Sequence, residues 1–151
     1  MISSNILIIL KFSDYQLKLK LEYRARMPTR ATFSSAGLDL YTNEQGVVQI
    51  GERHLVSTGI RCEFPTKTYG RIAARSGLSL KGIDIGAGVI DADYTGVIQI
   101  LIINNGTENF IYERGDRIAQ LIIEEYRPVT PYLANISSTD RETSGFGSTG
   151  K

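Results

Sequence analysis

The sequence predicts an all-β fold, a distorted barrel or jelly-roll-like two-sheet sandwich, with one short helix and a flexible C-terminal arm. Three observations carry this expectation. Apolar residues recur with period two in one short run after another, turn-forming residues separate those runs, and no window of helical length carries an apolar stripe. The chain has 151 residues, 42% apolar and 22% charged, enough for one domain with a real core and too few for two.

The elements follow in order. In "YQLKLKLEY", Leu17, Leu19 and Leu21 alternate with Lys18, Lys20 and Glu22, as a half-buried strand requires. "HLVSTGIRCEF", "YGRIAA", "VIQILIINN" and "RIAQLIIEEY" are further β-branched runs. Turn signals divide them at 43–46, Gly51, Pro65, the Asn104-Asn105-Gly106 tip and Arg114-Gly115-Asp116. The single helical candidate is "SGLSLKG", residues 76–82. From Pro128 onward the chain turns polar and rich in Ser, Thr and Gly, which divides it into a β domain, 1–127, and an arm, 128–151, ordered only on binding. Fully extended, the stretch from Pro131 to Phe146 spans roughly 50 Å, enough to cross to another subunit.

Composition excludes several function classes. A net charge of +1 gives no bulk electrostatic case for nucleic acid or anionic lipid, so any anion site is local. One cysteine, Cys62, and one histidine, His54, rule out a disulfide framework and a Cys/His zinc cluster. Cys62 falls in an alternating run and reads as a small core residue. "NILIIL" holds five consecutive apolar residues without a basic segment before them or a cleavage site after them. That argues against a signal peptide or membrane span and implies a soluble intracellular protein, of cytoplasm or nucleus.

Five segments carry candidate chemistry. In "RSGLSLK", Arg75 precedes Ser76 and Gly77 at the helix start, either a phosphate grip or a capped helix with a surface arginine. In "GAGVIDADYTG", Gly86 and Gly88 suggest close backbone approach to a ligand. Asp91 and Asp93 share a face if that segment is extended, with Tyr94 opposite; one carboxylate is a candidate general base, and a hairpin with turn aspartates is the alternative. Gln120 in "GDRIAQLI" either faces solvent or donates its amide to a ligand oxygen, and Asp39 in "AGLDLYT" is equally open. The closing "SGFGSTGK" has P-loop spacing, but a P-loop needs a Ser or Thr and then a helix after its lysine, and none follows Lys151. Arg141, Phe146, Gly147, Ser148 and Thr149 suit instead a phosphate chain beside a flat base.

Taken in order, "AGLDLYT", "GRIAARSGLSLK", "GAGVIDADYTG", "GDRIAQLI" and "RETSGFGSTG" resemble the five motifs of the trimeric dUTP pyrophosphatase (dUTPase) family, over residues 36–150. The resemblance implies hydrolysis of dUTP to dUMP and pyrophosphate, which keeps uracil out of DNA and supplies dUMP for thymidylate synthesis. It implies that Asp91 activates the attacking water and that Tyr94 packs under the deoxyribose, leaving no room for a 2′-hydroxyl. Residues 86–99, with Gly88, Val89, Ile90 and Gln99, match a β-hairpin whose main chain reads the uracil edge. Arg75, Ser76 and Gly77 look like the phosphate grip and Gln120 like the α-phosphate contact. Arg141, Phe146, Gly147, Ser148 and Thr149 resemble an arm from a neighbouring protomer that closes over uracil and γ-phosphate. Implied too are a homotrimer and Mg²⁺, held mainly by substrate phosphates with Asp39 near its waters. The sequence departs from the family pattern at Ala74 (often proline), Thr95 (usually basic or amide), Glu142 and Ser144 (often glycine). Two alternatives stand beside this reading: a dCTP deaminase-like enzyme, and a catalytically silent dUTPase-like protein that senses nucleotide and regulates a partner.

Overall fold

The computed structural model describes residues 16–139. Eleven strands and one helical turn alternate along them. The strands are β1 (Lys18–Leu21), β2 (Leu38–Tyr41), β3 (Gly46–Val48), β4 (Arg53–Ser57), β5 (Ile60–Glu63) and β6 (Thr68–Ala73). After α1 (Ser76–Ser79) come β7 (Ile83–Gly86), β8 (Val89–Ile90), β9 (Gln99–Asn104), β10 (Phe110–Tyr112) and β11 (Arg117–Glu125).

Every pairing is antiparallel, in a four-stranded sheet β2-β11-β6-β8, a three-stranded sheet β4-β9-β7, and two ribbons, β1-β5 and β10-β3. No sheet closes on itself, because β2, β8, β4 and β7 each pair on one side only. Of the two architectures expected, the layered one is observed and the closed barrel is not. The helical candidate shrinks to α1, since Lys81 and Gly82 already belong to the turn that follows.

Period two sets the core. In β9, Ile100, Ile102 and Asn104 are buried while Leu101 and Ile103 face the other way. Leu40, Val48, Val56, Ile60, Ile72, Ile118 and Leu121 meet them from the other strands. Cys62 joins this core, and burial pushes its thiol pKa up to about 12. Asn104, expected at a turn tip, is fully buried at the end of β9. Its amide donates to the carbonyls of Val48 and Glu108 and accepts from Gly106 N–H, so its burial leaves no bond unmade.

One irregularity positions a functional candidate. Strict alternation from buried Ile118 would send Ala119 outward and Gln120 inward. A β-bulge between Arg117 and Ala119 breaks the register against β2. Ile118 and Ala119 are therefore both buried, and Gln120 swings to the opposite face beside Asp39, its register partner.

Candidate active site

Sequence reasoning gathers Asp39, Arg75, Gln120, Asp91 and Tyr94 into one site. The structure separates them into two groups on one sheet. The first is a corner where β2, β11 and the end of β6 meet. Asp39 stands opposite Gln120, and Gln120 stands opposite Ala73. Arg75, in extended conformation just before α1, turns its Nε to Asp39 Oδ1 at 3.0 Å and an Nη to the Arg117 carbonyl at 3.2 Å. Arg117 donates to the other carboxylate oxygen at 3.2 Å. The Asp39 side chain is 12% exposed, so both arginines bind it in a half-dry setting where charge-assisted bonds are strong. Gln120 donates its amide to the Ala74 carbonyl at 2.9 Å and so holds the chain entering α1. Ser76 and Gly77 lie exposed on α1.

The resemblance sets Asp39 near the waters of a metal held mainly by substrate phosphates, and here its two oxygens pair with the guanidinium groups of Arg75 and Arg117. Among the described residues no group of three or more His, Cys, Asp or Glu could hold a metal ion. At the corner two guanidinium groups face one carboxylate.

The second group lies at the other edge and other end of the same sheet. β8 pairs with β6 through Gly70–Ile90 and Arg71–Val89, and Gly88 lies so close that a Cβ there would come within 2.3 Å of the Ile72 carbonyl oxygen. Gly88 thus makes room for the neighbouring strand, whatever else approaches its backbone. After Ile90 the chain is not extended. Tyr94 N–H donates to the Asp91 carbonyl at 3.0 Å, so 91–94 form a turn, and Asp91 and Asp93 do not alternate as strand residues. The expected hairpin exists in longer form: β7 and β9 pair from Ile83–Asn104 to Gly86–Leu101, and residues 87–98 are its excursion. Gln99, exposed at the start of β9, faces Ser57 across the ladder.

Asp91, Ala92 and Asp93 line a cavity of about 660 Å³ with Val89, Tyr69 and Tyr126. The two tyrosine rings meet edge to face at 6.4 Å. Behind them Glu124 accepts from the Tyr69 hydroxyl at 2.5 Å and from Arg71 Nε at 2.7 Å. Those bonds, Tyr69's first, lower the Glu124 pKa below its ordinary value, and the same bond raises that of Tyr69. Tyr94 is 42% exposed and folds its hydroxyl onto the Val97 carbonyl at 2.9 Å.

The two groups lie far apart within one chain. Asp91 follows Ile90, which faces Gly70, so it lies toward the Tyr69 end of β6, whereas Arg75 leaves the Ala73 end. Four residues separate those ends, about 13 Å along the strand, before the lateral offset is added. Sequence reasoning missed Arg117, Tyr69, Arg71, Glu124 and Tyr126. Arg117 and Arg71 sat inside quoted motifs, Tyr69 and Glu124 are register partners across β6 and β11, and Tyr126 lies just past the end of β11. Arg141, Phe146, Gly147, Ser148 and Thr149 lie outside the described residues. The described part of the arm, 128–139, is exposed coil carrying Val129, Tyr132, Leu133 and Ile136 open to solvent.

Comparison with known proteins shows the family and the fold. The dUTPase family model matches residues 23–150. The deoxyuridine 5′-triphosphate nucleotidohydrolase of cowpox virus is 52% identical over 128 residues, 84% of this chain and 87% of that protein. The dUTPase of Staphylococcus bacteriophage 80alpha, solved with dUPNHPP, superposes with a TM-score of 0.82 at 28% identity, covering 91% of this chain and 99% of that one. A mutant dUTPase from phage phi11 of S. aureus, described as coordinating a structural Mg(II) ion, gives 0.71 at 27% identity over 82% and 97%. Among the described residues no helix is long and apolar enough to cross a membrane.

Proposed function

This chain belongs to the dUTPase family and hydrolyses dUTP to dUMP and pyrophosphate, and on that premise we propose that Asp91 is the general base of a site completed by more than one copy of the chain. The observation that carries the second part is the distance between the Arg75 corner and the Asp91 turn. One nucleotide triphosphate needs its α-phosphate beside both a base and a cationic grip. A trimer in which each Asp91 turn faces a neighbour's Arg75 corner meets that need with closed symmetry. The exposed apolar residues of 128–139 suit an arm, 128–151, that lies on another copy and brings Arg141, Phe146, Gly147, Ser148 and Thr149 to the site.

In the reaction, a water oxygen attacks the α-phosphorus while its proton passes to the Asp91 carboxylate. The bond from that phosphorus to the bridging oxygen of the β-phosphate breaks, and pyrophosphate leaves. General-base assistance of this type is worth about 10²–10⁴ in rate. Arg75, already oriented by Asp39, holds the phosphate chain together with Ser76, Gly77 and Gln120. Magnesium enters with the triphosphate as part of the substrate and neutralises its charge. Main chain at Gly88, Val89, Ile90 and Gln99 reads the uracil edge, and Tyr94 stands beneath the sugar. Cytosine leaves those groups unpaired once a bound base covers them, a mismatch worth a factor of about 10⁴. Free deoxynucleoside triphosphates are the substrate class, which supports work inside the cell, in cytoplasm or nucleus.

The test is pyrophosphate release from dUTP, dTTP, dCTP and UTP with magnesium, for the wild type and Asp91→Asn. Release from dUTP alone, abolished by the substitution, is the expected result. Ammonia release from dCTP, or an active Asp91→Asn, overturns the assignment.

A further inference from the structure

We infer that Arg61 is a positioning residue for the turn carrying Asp91 and Tyr94, and that through it the enzyme keeps its preference for deoxyribose. The inference rests on the site proposed above. The excursion 87–98 is fixed firmly at its two ends. At entry β8 is laddered to β6, and at exit Ile98 N–H donates to the Ile60 carbonyl at 2.7 Å while the buried Thr58 hydroxyl donates to the Ile98 carbonyl at 2.7 Å. Between those anchors the turn closes on itself. Tyr94 bonds back to Val97, and its hydroxyl lies where a Cβ on Gly96 would come within 2.4 Å of it. Among the described residues, one side chain from elsewhere in the fold hydrogen-bonds to residues 91–97. Arg61, on β5, donates an Nη to the Thr95 carbonyl at 3.1 Å, and its other Nη faces Glu22 Oε1 at 3.3 Å.

The guanidinium therefore spans from the end of β1 to the residue after Tyr94. Without it, the closed 94–97 unit keeps its internal bond and tilts as a body about its anchors. A ring that excludes a 2′-hydroxyl by contact must not tilt, because rejection by shape depends on the wall staying in place. The cation arrives from a neighbouring strand onto the backbone of Thr95, a residue whose own side chain carries no charge.

The experiment compares kcat/KM for dUTP and UTP, with Tm, in the wild type, Arg61→Ala, Arg61→Lys and Lys20→Ala. Asp91→Asn serves as the control for the site itself. For Arg61→Ala, KM for dUTP rises and the dUTP-to-UTP ratio falls roughly tenfold. Arg61→Lys recovers part of that ratio, because an ammonium N–H still reaches one carbonyl. Lys20 is the cross-strand partner of Arg61, and Lys20→Ala leaves the ratio unchanged if the bond, not general charge, is responsible. Should Arg61→Ala fail to fold, Arg61→Gln is read the same way. An inactive Asp91→Asn with a wild-type ratio in the Arg61 variants overturns the positioning role alone. An active Asp91→Asn overturns the site assignment itself.

Discussion

At the Asp39 corner, two arginines converge on one carboxylate and a glutamine amide ties down the chain between three strands. At the Asp91 turn, exposed carboxylates stand on a short excursion held at its ends and by one arginine in between. The corner's side chains are tied to one another within one chain, and the turn's carboxylates face open space. The difference matches the work proposed for each. Gripping a polyanion requires cations fixed in advance, since ordering them on binding costs affinity. On the proposed reading the turn admits a base and sugar and accepts closure from another element, which groups presented to open space allow.

The sharpest way to break the comparison is to put its halves on different chains. Asp91→Asn and Arg75→Ala are each expected to be inactive alone. Co-refolded in equal amounts, they should regain activity toward roughly a quarter of the wild type, the share of neighbouring pairs with both residues intact. No recovery means that a single copy assembles the whole site.

The turn's seat on the sheet is tested next. Gly88→Ala drives a methyl into the Ile72 carbonyl, so β8 must leave β6. A loss of about 1–3 kcal/mol in urea unfolding is expected, with dUTP turnover falling further than stability explains. Equal activity at equal stability means that β8 does not position Asp91.

At the corner, Asp39→Ala leaves Arg75 and Arg117 facing each other without their shared carboxylate. Stability should fall by about 1–3 kcal/mol, and KM for dUTP should rise more than kcat falls. A change confined to kcat would instead assign Asp39 a part in the chemical step.

The smallest effect concerns the wall behind the turn. Glu124 has a lowered pKa in the folded state, so the stability it adds is present above its ordinary value near 4.5. That stability disappears as pH falls through the lowered value. The Tm difference between wild type and Glu124→Gln should therefore be present at pH 7 and vanish in more acidic buffer. A difference independent of pH means that packing, not the charged bonds, carries the contribution.

How far the sequence alone reaches is visible residue by residue. Leu17 and Leu19 face inward and Lys18 and Lys20 outward as their alternation demands, because a strand's two faces differ only in burial. Asp91, Tyr94, Arg75 and Gln120 stand out as candidates because their motifs are short and contiguous. Arg61, Arg117, Tyr69 and Glu124 do not, since a partner across a ladder leaves no mark on its own neighbours. The bulge that turns Gln120 outward is equally silent, as nothing in "RIAQLI" says where the extra residue sits.

The order of the residues thus determined the strands, the core and the candidate motifs, all of which depend on side chains within a few positions of one another. Only the tertiary structure decided that Arg75 and Asp91 stand toward opposite ends of β6, and which arginine holds which oxygen. Register joins residues far apart in the chain, and its free energy is collective, so no local stretch encodes it.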